Sequence, residues 1–473
     1  MEWIELVVGE LNDVMWTYIL IAALIASGLF FSLRSKFVQF RMFPEMFRIL
    51  GDKAMISADG KRGISSFQAF CISAASRVGT GNIAGVATAI AAGGPGAVFW
   101  MWIIAFLGGA SSFIESTLAQ IYKVKDRDGF RGGPAYYMEK GLNKRWMGIL
   151  FAVIITFCFG FVFNSVQSNT IALAFEDAFG TNQTIVGIIL AVLTAAVIFG
   201  GVHRIAKVSQ VVVPIMAVIY ILLALVIMIM NVTEIPAVFS LILKSAFGLE
   251  EALGGTMGAA VMMGIKRGLF SNEAGMGSAP NAAAAAAVSH PVKQGLIQTL
   301  GVFVDTIIIC SATAFMIILS GDYMNSDLSG VQLTQSALSV QVGSWASIFV
   351  AVAIFLFAFT SVIGNYYYGE TNIEFIKKSR MAVFIYRLGV IAMVLFGSVA
   401  SLDLVWSLAD LFMGVMALIN LTAIVLLSRT ALAALKDYLQ QRKEGKDPAF
   451  YADSIPGLTG IESWEVKNQK DKQ

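Results

Sequence analysis

The sequence predicts an all-α integral membrane protein of about eleven spans, two of them interrupted near the middle of the bilayer. Three observations carry this. The chain is 57% hydrophobic and 14% charged, whereas a soluble domain is about 45–50% apolar and about 25% charged. Apolar runs of membrane-crossing length recur along its 473 residues. Two such runs, 64–91 and 253–288, hold glycines and charges that a lipid-facing helix does not tolerate: Arg77-Val78-Gly79-Thr80-Gly81-Asn82 in the first, and Lys266-Arg267-Gly268-Leu269-Phe270-Ser271-Asn272-Glu273-Ala274-Gly275 in the second. Irregular backbone at that depth survives only where it is buried in protein or lines a cavity. Paired interruptions in the two halves of a many-span chain mark a binding site at the midplane.

In order, the spans fall near 14–33, 64–91, 97–122, 146–175, 184–200, 205–230, 253–288, 292–320, 344–369, 382–400 and 402–428, with amphipathic pieces at 37–50 and 235–247. Lys and Arg collect in alternate loops: Arg34, Lys36, Arg41, Arg48, Lys53, Lys61 and Arg62 after the first span, and Lys123, Lys125, Arg127, Arg131, Lys140, Lys144 and Arg145 after the third. Arg204 and Lys207, then Lys293, then Lys377, Lys378 and Arg380 continue the series, and Arg429 and Lys436 begin the tail. The opposite loops carry Glu176, Asp177, Glu234, Glu250, Glu251, Asp322, Asp327 and Asp403, with Lys244 as their base. The positive-inside rule then places the N-terminus outside and the C-terminus in the cytoplasm. Setting aside the first span (14–33) leaves a first five-helix repeat at 64–230 and a second at 253–428, followed by a tail at 429–473, all within one transporter domain, 1–473. An odd number of spans per half forces the halves into opposite orientations, an inverted repeat whose first and sixth helices are the interrupted ones.

Within the first interruption, Gly79 and Gly81 let the backbone leave helical dihedrals. A half-helix starting near Gly81-Asn82 aims N–H groups and a positive dipole end at the cavity, a site for a carboxylate. The half that ends between Ala75 and Val78 offers carbonyls, and Asn82 a side-chain oxygen, which suit a hard cation such as sodium. In the second, Glu273 and Arg267 must face the interior and be paired, and Arg77 is a candidate partner for Glu273. The 282–287 alanine run makes a thin helix for close packing. Phe163, Asn164, Gln167 and Thr170 share one helix face, as do Ser361, Asn365 and Tyr368, and the Thr360 and Ser361 hydroxyls either complete a sodium shell or bond back to the preceding turn. Asp305 and Glu115 are further intramembrane acids, each a proton site or the partner of a loop base. Cys71, Cys158 and Cys310 read as small buried hydrophobes. His203 and His290 fall at span ends and receive no chemical role. The sequence offers no phosphate-binding loop, nucleophile–base pair, metal cluster or basic stripe for nucleic acid, so neither an enzyme nor a nucleic-acid binder is expected, and no cofactor beyond a coupling ion.

At these residues the chain resembles a known family. Val78-Gly79-Thr80-Gly81-Asn82-Ile83-Ala84-Gly85, Phe130-Arg131-Gly132-Gly133-Pro134-Ala135-Tyr136-Tyr137, Lys266 through Gly275 followed by Gly277-Ser278-Ala279, and Tyr366-Tyr367-Tyr368-Gly369-Glu370 resemble the bacterial alanine/glycine:cation symporters over nearly the whole chain. The resemblance implies a LeuT-like fold with a 5+5 inverted repeat plus the extra N-terminal span, and sodium-driven, sometimes proton-driven, uptake of small neutral amino acids across the cell membrane. By that likeness, the backbone around Gly79, Thr80 and Gly81 meets the substrate carboxylate, with Asn82 beside it, and the second interrupted helix, at Phe270 and Ser271, meets the ammonium through carbonyls. Phe163, Gln167, Ser361 and Asn365 line the remaining wall. Ala75, Val78, Thr360 and Ser361 match sodium positions, with Asn82 at a second. Alanine-carrying relatives tend to have Trp where this chain has Asn365, and the smaller amide suits a glutamine side chain. A passive channel or a non-transporting sensor are the rival classes; the first wants a continuous polar pore and the second a larger cytoplasmic domain than the tail provides.

Overall fold

A computed structural model describes residues 2–55, 63–126, 129–249, 256–324 and 327–466. The basic Lys61, Arg62 and Arg127, the acidic Glu250 and Glu251, residues 253–255 of the second interrupted segment and residues 467–473 of the tail lie outside the described residues, as does the side chain of His203. Among the described residues, eight helices are long and apolar enough to cross a bilayer. Together with the shorter Gln183–Ile198 helix and the two interrupted helices, they occupy every segment expected from the sequence. Helices Phe43–Leu50 and Ile235–Ala246 fill the amphipathic stretches. Outside the helices lies a small antiparallel hairpin, Val124–Asp126 against Gly129–Arg131.

The first interruption lies where glycine chemistry puts it. Ser65 and Gln68 form a reciprocal capping box that starts the Ser66–Arg77 helix. That helix stops at Val78, which turns to an extended φ/ψ of −79°/90°. Helix resumes at Gly81 with a widened π turn to Gly85 and continues as Val86–Gly93. The second interruption is later than its glycines suggest. Lys266, Arg267 and Gly268 belong to an unbroken Met257–Asn272 helix. A Cβ on Gly268 would lie 2.6 Å from Ile104 Cγ2, so this glycine serves close packing on the Ala97–Ile121 helix. The break begins at Glu273 (φ 57°) and passes through Gly275 (φ 86°) and Gly277 (φ 85°) before the Ala279–Ala285 helix. A left-handed carboxylate residue stores roughly 1–3 kcal/mol of strain, which must be held by its surroundings.

Glu115, on the Ala97–Ile121 helix, does much of that holding. Its two oxygens accept the backbone N–H groups of Gly275 and Gly277, each at 3.1 Å, and Asn420 Nδ2 at 2.7 Å. Asn420 also donates to the Gly275 carbonyl at 2.9 Å. Glu115 therefore pairs with backbone rather than with a loop base, and charge-assisted bonds of this kind are about twice as strong as neutral ones.

The half-helices pair crosswise. Ser66–Arg77 packs on Ala279–Ala285, and Gly81–Gly93 packs on Met257–Asn272. The two interrupted helices thus run antiparallel, with both unwound segments at one level. The small Ala282–Ala285 side chains, all buried, permit the close approach. The three cysteines are free and buried.

Candidate functional site

All ten residues expected around the substrate are buried, and the unwound segments bring them together. A Cβ added to Gly79 would collide with Ser361 Oγ and approach Gln167 Oε1 within 2.8 Å. One added to Gly81 would lie 3.0 Å from Ser271 Cα and 3.1 Å from the Phe270 ring. These two glycines are required by close approach, not by a left-handed turn. The Phe163 and Phe270 rings meet at a 40° tilt with centroids 4.7 Å apart. Asn365, one turn beyond Ser361, donates to Asn164 Oδ1 at 3.1 Å, and its own Oδ1 lies 2.7 Å from Ser76 Oγ.

The backbone donors of the first break already have partners. Gly79 N–H donates to Asn82 Oδ1 at 2.9 Å, and Thr80 N–H to Gln167 Oε1 at 3.1 Å. Two side-chain carbonyl oxygens therefore stand at the dipole end that an incoming carboxylate would meet.

The oxygens expected around a cation divide into two groups. Ser361 Oγ reaches the Val78 carbonyl at 3.3 Å, but it also bonds back to the Phe357 carbonyl at 3.1 Å, as Thr360 does at 2.8 Å. Both hydroxyls follow the back-bonding pattern. Ala75 is buried in the last turn of Ser66–Arg77. Asn82 instead turns to Asp305, donating to Oδ1 at 2.7 Å and to its carbonyl at 3.3 Å. Asp305 Oδ2 accepts Ser271 Oγ at 2.8 Å and Thr306 Oγ1 at 2.9 Å. Asp305 thus joins both interrupted helices through neutral donors. Sequence reading names it as an intramembrane acid without finding this role; the signal available is a polar Asp305-Thr306 pair inside an apolar run. Three π-helical segments, Gly81–Gly85, Thr156–Phe163 and Val304–Cys310, carry Asn82, Phe163 and Asp305 into the site, a common placement for such bulges.

The expected ion pairs are rearranged. Arg267 pairs with Asp410 at 2.5 Å, and Lys266 with the same carboxylate at 3.2 Å. Arg77 bonds to Gln298, at 3.2 Å to its carbonyl and 3.4 Å to Oε1. Glu273 accepts Ser278 Oγ at 2.6 Å and lies 2.7 Å from Ser76 Oγ. The direct tie between Glu273 and Arg77 or Arg267 is therefore replaced by serine contacts, and Asp410 and Gln298 are functional neighbours the sequence does not single out. Phe159, Phe163, Phe270 and Trp406 form a continuous aromatic layer with spacings of 4.6, 4.7 and 4.7 Å. The Arg267 guanidinium caps it, 4.4 Å from the Trp406 centroid. His290 serves the fold, because its Nδ1 accepts the Val292 N–H at the start of the Pro291–Phe303 helix.

A family model described as the sodium:alanine symporter family matches residues 1–452. The chain is 60% identical over 467 residues to a probable sodium/glutamine symporter, GlnT, of Bacillus subtilis (strain 168), covering 99% of this chain and 97% of the relative. It is also 60% identical over 459 residues to the amino-acid carrier protein AlsT of the same organism, with 97% of each chain covered. Among solved structures, a manganese transporter of Eremococcus coleocola is similar with a TM-score of 0.52 at 13% identity, over 81% of this chain and 88% of that one. This last likeness concerns the fold alone.

Proposed function

The chain belongs to the sodium:alanine symporter family, and we infer from that premise that it is a multi-pass sodium-coupled symporter importing small neutral amino acids, in the alanine, glutamine, glycine and serine class, by alternating access. The observation that carries the reading is the adjacency of two unlike polar centres at the crossing of the interrupted helices. One is the pair of backbone N–H groups at Gly79 and Thr80; the other is the Asp305 carboxylate with the Ser271 and Thr306 hydroxyls and the Asn82 amide nitrogen gathered on it.

The substrate carboxylate displaces Gln167 Oε1 from the Thr80 N–H and settles on the dipole end of the Gly81–Gly93 helix. The ammonium meets carbonyls freed at the end of the Met257–Asn272 helix, near Phe270 and Ser271. Sodium, the co-transported cargo, is held by Asp305 with the Ser271 and Thr306 oxygens, and by the Asn82 oxygen once its amide turns from the Gly79 N–H, a hard donor set for a hard ion. Ala75, Val78, Thr360 and Ser361 offer a second, neutral set. The substrate side chain points to Asn365 and Asn164, whose amides suit a glutamine side chain. Phe163, Phe270 and Trp406 close the far side, and the inner half-helices close the tail side. The basic loops support a cytoplasmic tail, and the two five-helix repeats rock about the shared site.

A zwitterion carries no net charge, so one inward sodium brings about 2.3 kcal/mol per 100 mV. At about 1.36 kcal/mol per tenfold, this supports roughly fifty-fold accumulation before any sodium gradient is counted. Proton coupling is the second reading. The Ser76 hydroxyl, with one hydrogen, lies 2.7 Å from both Glu273 Oε1 and Asn365 Oδ1, a geometry that favours a proton on Glu273. Uptake of labelled alanine and glutamine into proteoliposomes under an imposed sodium or proton gradient tests both. Accumulation driven by sodium alone supports the first reading; accumulation that needs only a proton gradient replaces it with the second.

A further inference from the structure

The tail beyond the Leu402–Lys443 helix folds back across the ends of the inner half-helices and is pinned at two points. At the first, Phe450 N–H donates to the Ser289 carbonyl at 2.8 Å, and Ser289 Oγ donates to the Pro448 carbonyl at 2.9 Å. Phe450 is buried edge-on to His290, with centroids 5.4 Å apart, and Asp447 pairs with Lys293 at 3.0 Å. At the second, Trp464 Nε1 donates to the Gln120 carbonyl at 3.0 Å and Ser463 Oγ to the Lys123 carbonyl at 2.9 Å. Glu462 pairs with Lys140. Gly460, at φ 77°, passes so close to Lys140 that a Cβ would sit 2.6 Å from its carbonyl oxygen. Between the two points, Ala452 N–H bonds to the Glu465 carbonyl at 2.8 Å and the Phe450 and Trp464 rings meet at 5.2 Å.

What lies beneath is the stretch just after the Ala279–Ala285 half-helix. The Ala286 carbonyl accepts Gln120 Nε2 at 2.9 Å and Lys123 Nζ at 3.0 Å. The Lys123 ammonium is sandwiched between the Phe130 and Trp464 rings, at 4.0 and 4.6 Å. Ala287 N–H bonds to the Ile64 carbonyl at 2.9 Å, and Met55 N–H to the Ala287 carbonyl at 3.0 Å. The segment that leaves the second interrupted helix is thereby knotted to the segment that enters the first. Any route from the site to this face must part Ser66–Arg77 from Ala279–Ala285, and the folded tail grips the knot from outside.

We propose that residues 446–466 are a strap that locks this exit, and that its release at Ser289 and Gln120 is a required step in reaching the inward-facing state. The strap rests on the alternating-access reading above. It is held by a few hydrogen bonds, two ion pairs with exposed carboxylates and two rings, a grip small enough to open and close within a transport cycle.

Two arms test it. In the first, Ser289→Cys with Pro448→Cys is oxidised in proteoliposomes to close a disulfide across the contact. Uptake is expected to stop and to return on reduction; an oxidised pair that transports at the reduced rate overturns the proposal. In the second, Trp464→Ala and Phe450→Ala loosen the strap. Alkylation of the native Cys71, wholly buried in the Ser66–Arg77 half-helix, is read by peptide mass and is expected to rise roughly tenfold in the loosened proteins. Unchanged alkylation in both variants also overturns it. Alkylation requires no transported amino acid, so a misassigned substrate and a passive tail give different results.

Discussion

Gln167 and Thr80 sit on different helices, and the side-chain oxygen of the first accepts the backbone N–H of the second at 3.1 Å. The protein's own amide thus occupies the position proposed above for a carboxylate oxygen. Gln167→Glu places an anion there and is expected to lower substrate affinity by about tenfold or more, since like charges compete for one dipole end. Gln167→Ala is expected to weaken binding less, because the freed N–H remains available to substrate. Equilibrium binding of labelled alanine in detergent, compared across the three proteins, checks the order.

Asp305 is expected to govern the response to sodium. Asp305→Asn removes the charge and keeps the shape, so the sodium concentration for half-maximal uptake should rise at least about tenfold, which corresponds to about 1.4 kcal/mol. Replacing sodium with choline should weaken amino acid binding to the parent protein, and by reciprocity removing the amino acid should weaken sodium binding by the same factor. An Asp305→Asn protein with an unchanged sodium requirement would move the ion to the Val78 and Ser361 oxygens.

Asn365 touches Ser76 and Asn164 through both ends of its amide. Asn365→Trp fills that space with a ring and takes away the amide, and should shift the alanine-to-glutamine uptake ratio toward alanine by roughly tenfold or more. Competition of each unlabelled amino acid against the other measures the ratio directly.

Glu115 carries two backbone N–H groups of the second break. Glu115→Gln leaves one acceptor oxygen for two donors, and an unsatisfied buried donor costs about 1–3 kcal/mol. The melting temperature in detergent should fall, and Glu115→Ala should lower it further. Because Phe270 and Ser271 end the helix that runs into this break, substrate affinity is expected to fall with it.

The spans and the existence of both interruptions are legible in the sequence because the bilayer leaves so few options: a glycine beside a charge in an apolar run has to be buried against protein. The place of the second break is less legible. Gly268 looks like a helix breaker, yet it faces the Ala97–Ile121 helix at contact distance, and only that tertiary neighbour tells a packing glycine from a turning one. The partners of the charged residues are hidden for a similar reason. Arg267 meets Asp410 across 143 positions, and Asn82 meets Asp305 across 223. Hydropathy marks each as buried but says nothing of which polar group faces it. Among the site residues, those on the breaks themselves announce their backbone role, whereas Gln167 discloses its occupation of the Thr80 N–H only once two helices are set side by side.

The crosswise pairing of half-helices has a mechanical corollary. Each unwound segment is the fulcrum of two levers, one reaching toward the tail and one away from it. A ligand gripped at a fulcrum is displaced least when either lever swings, so amino acid and ion can ride through the exchange of open sides with their peptide contacts kept. Movement is concentrated at the lever tips, and the inner pair of tips lies under the folded tail.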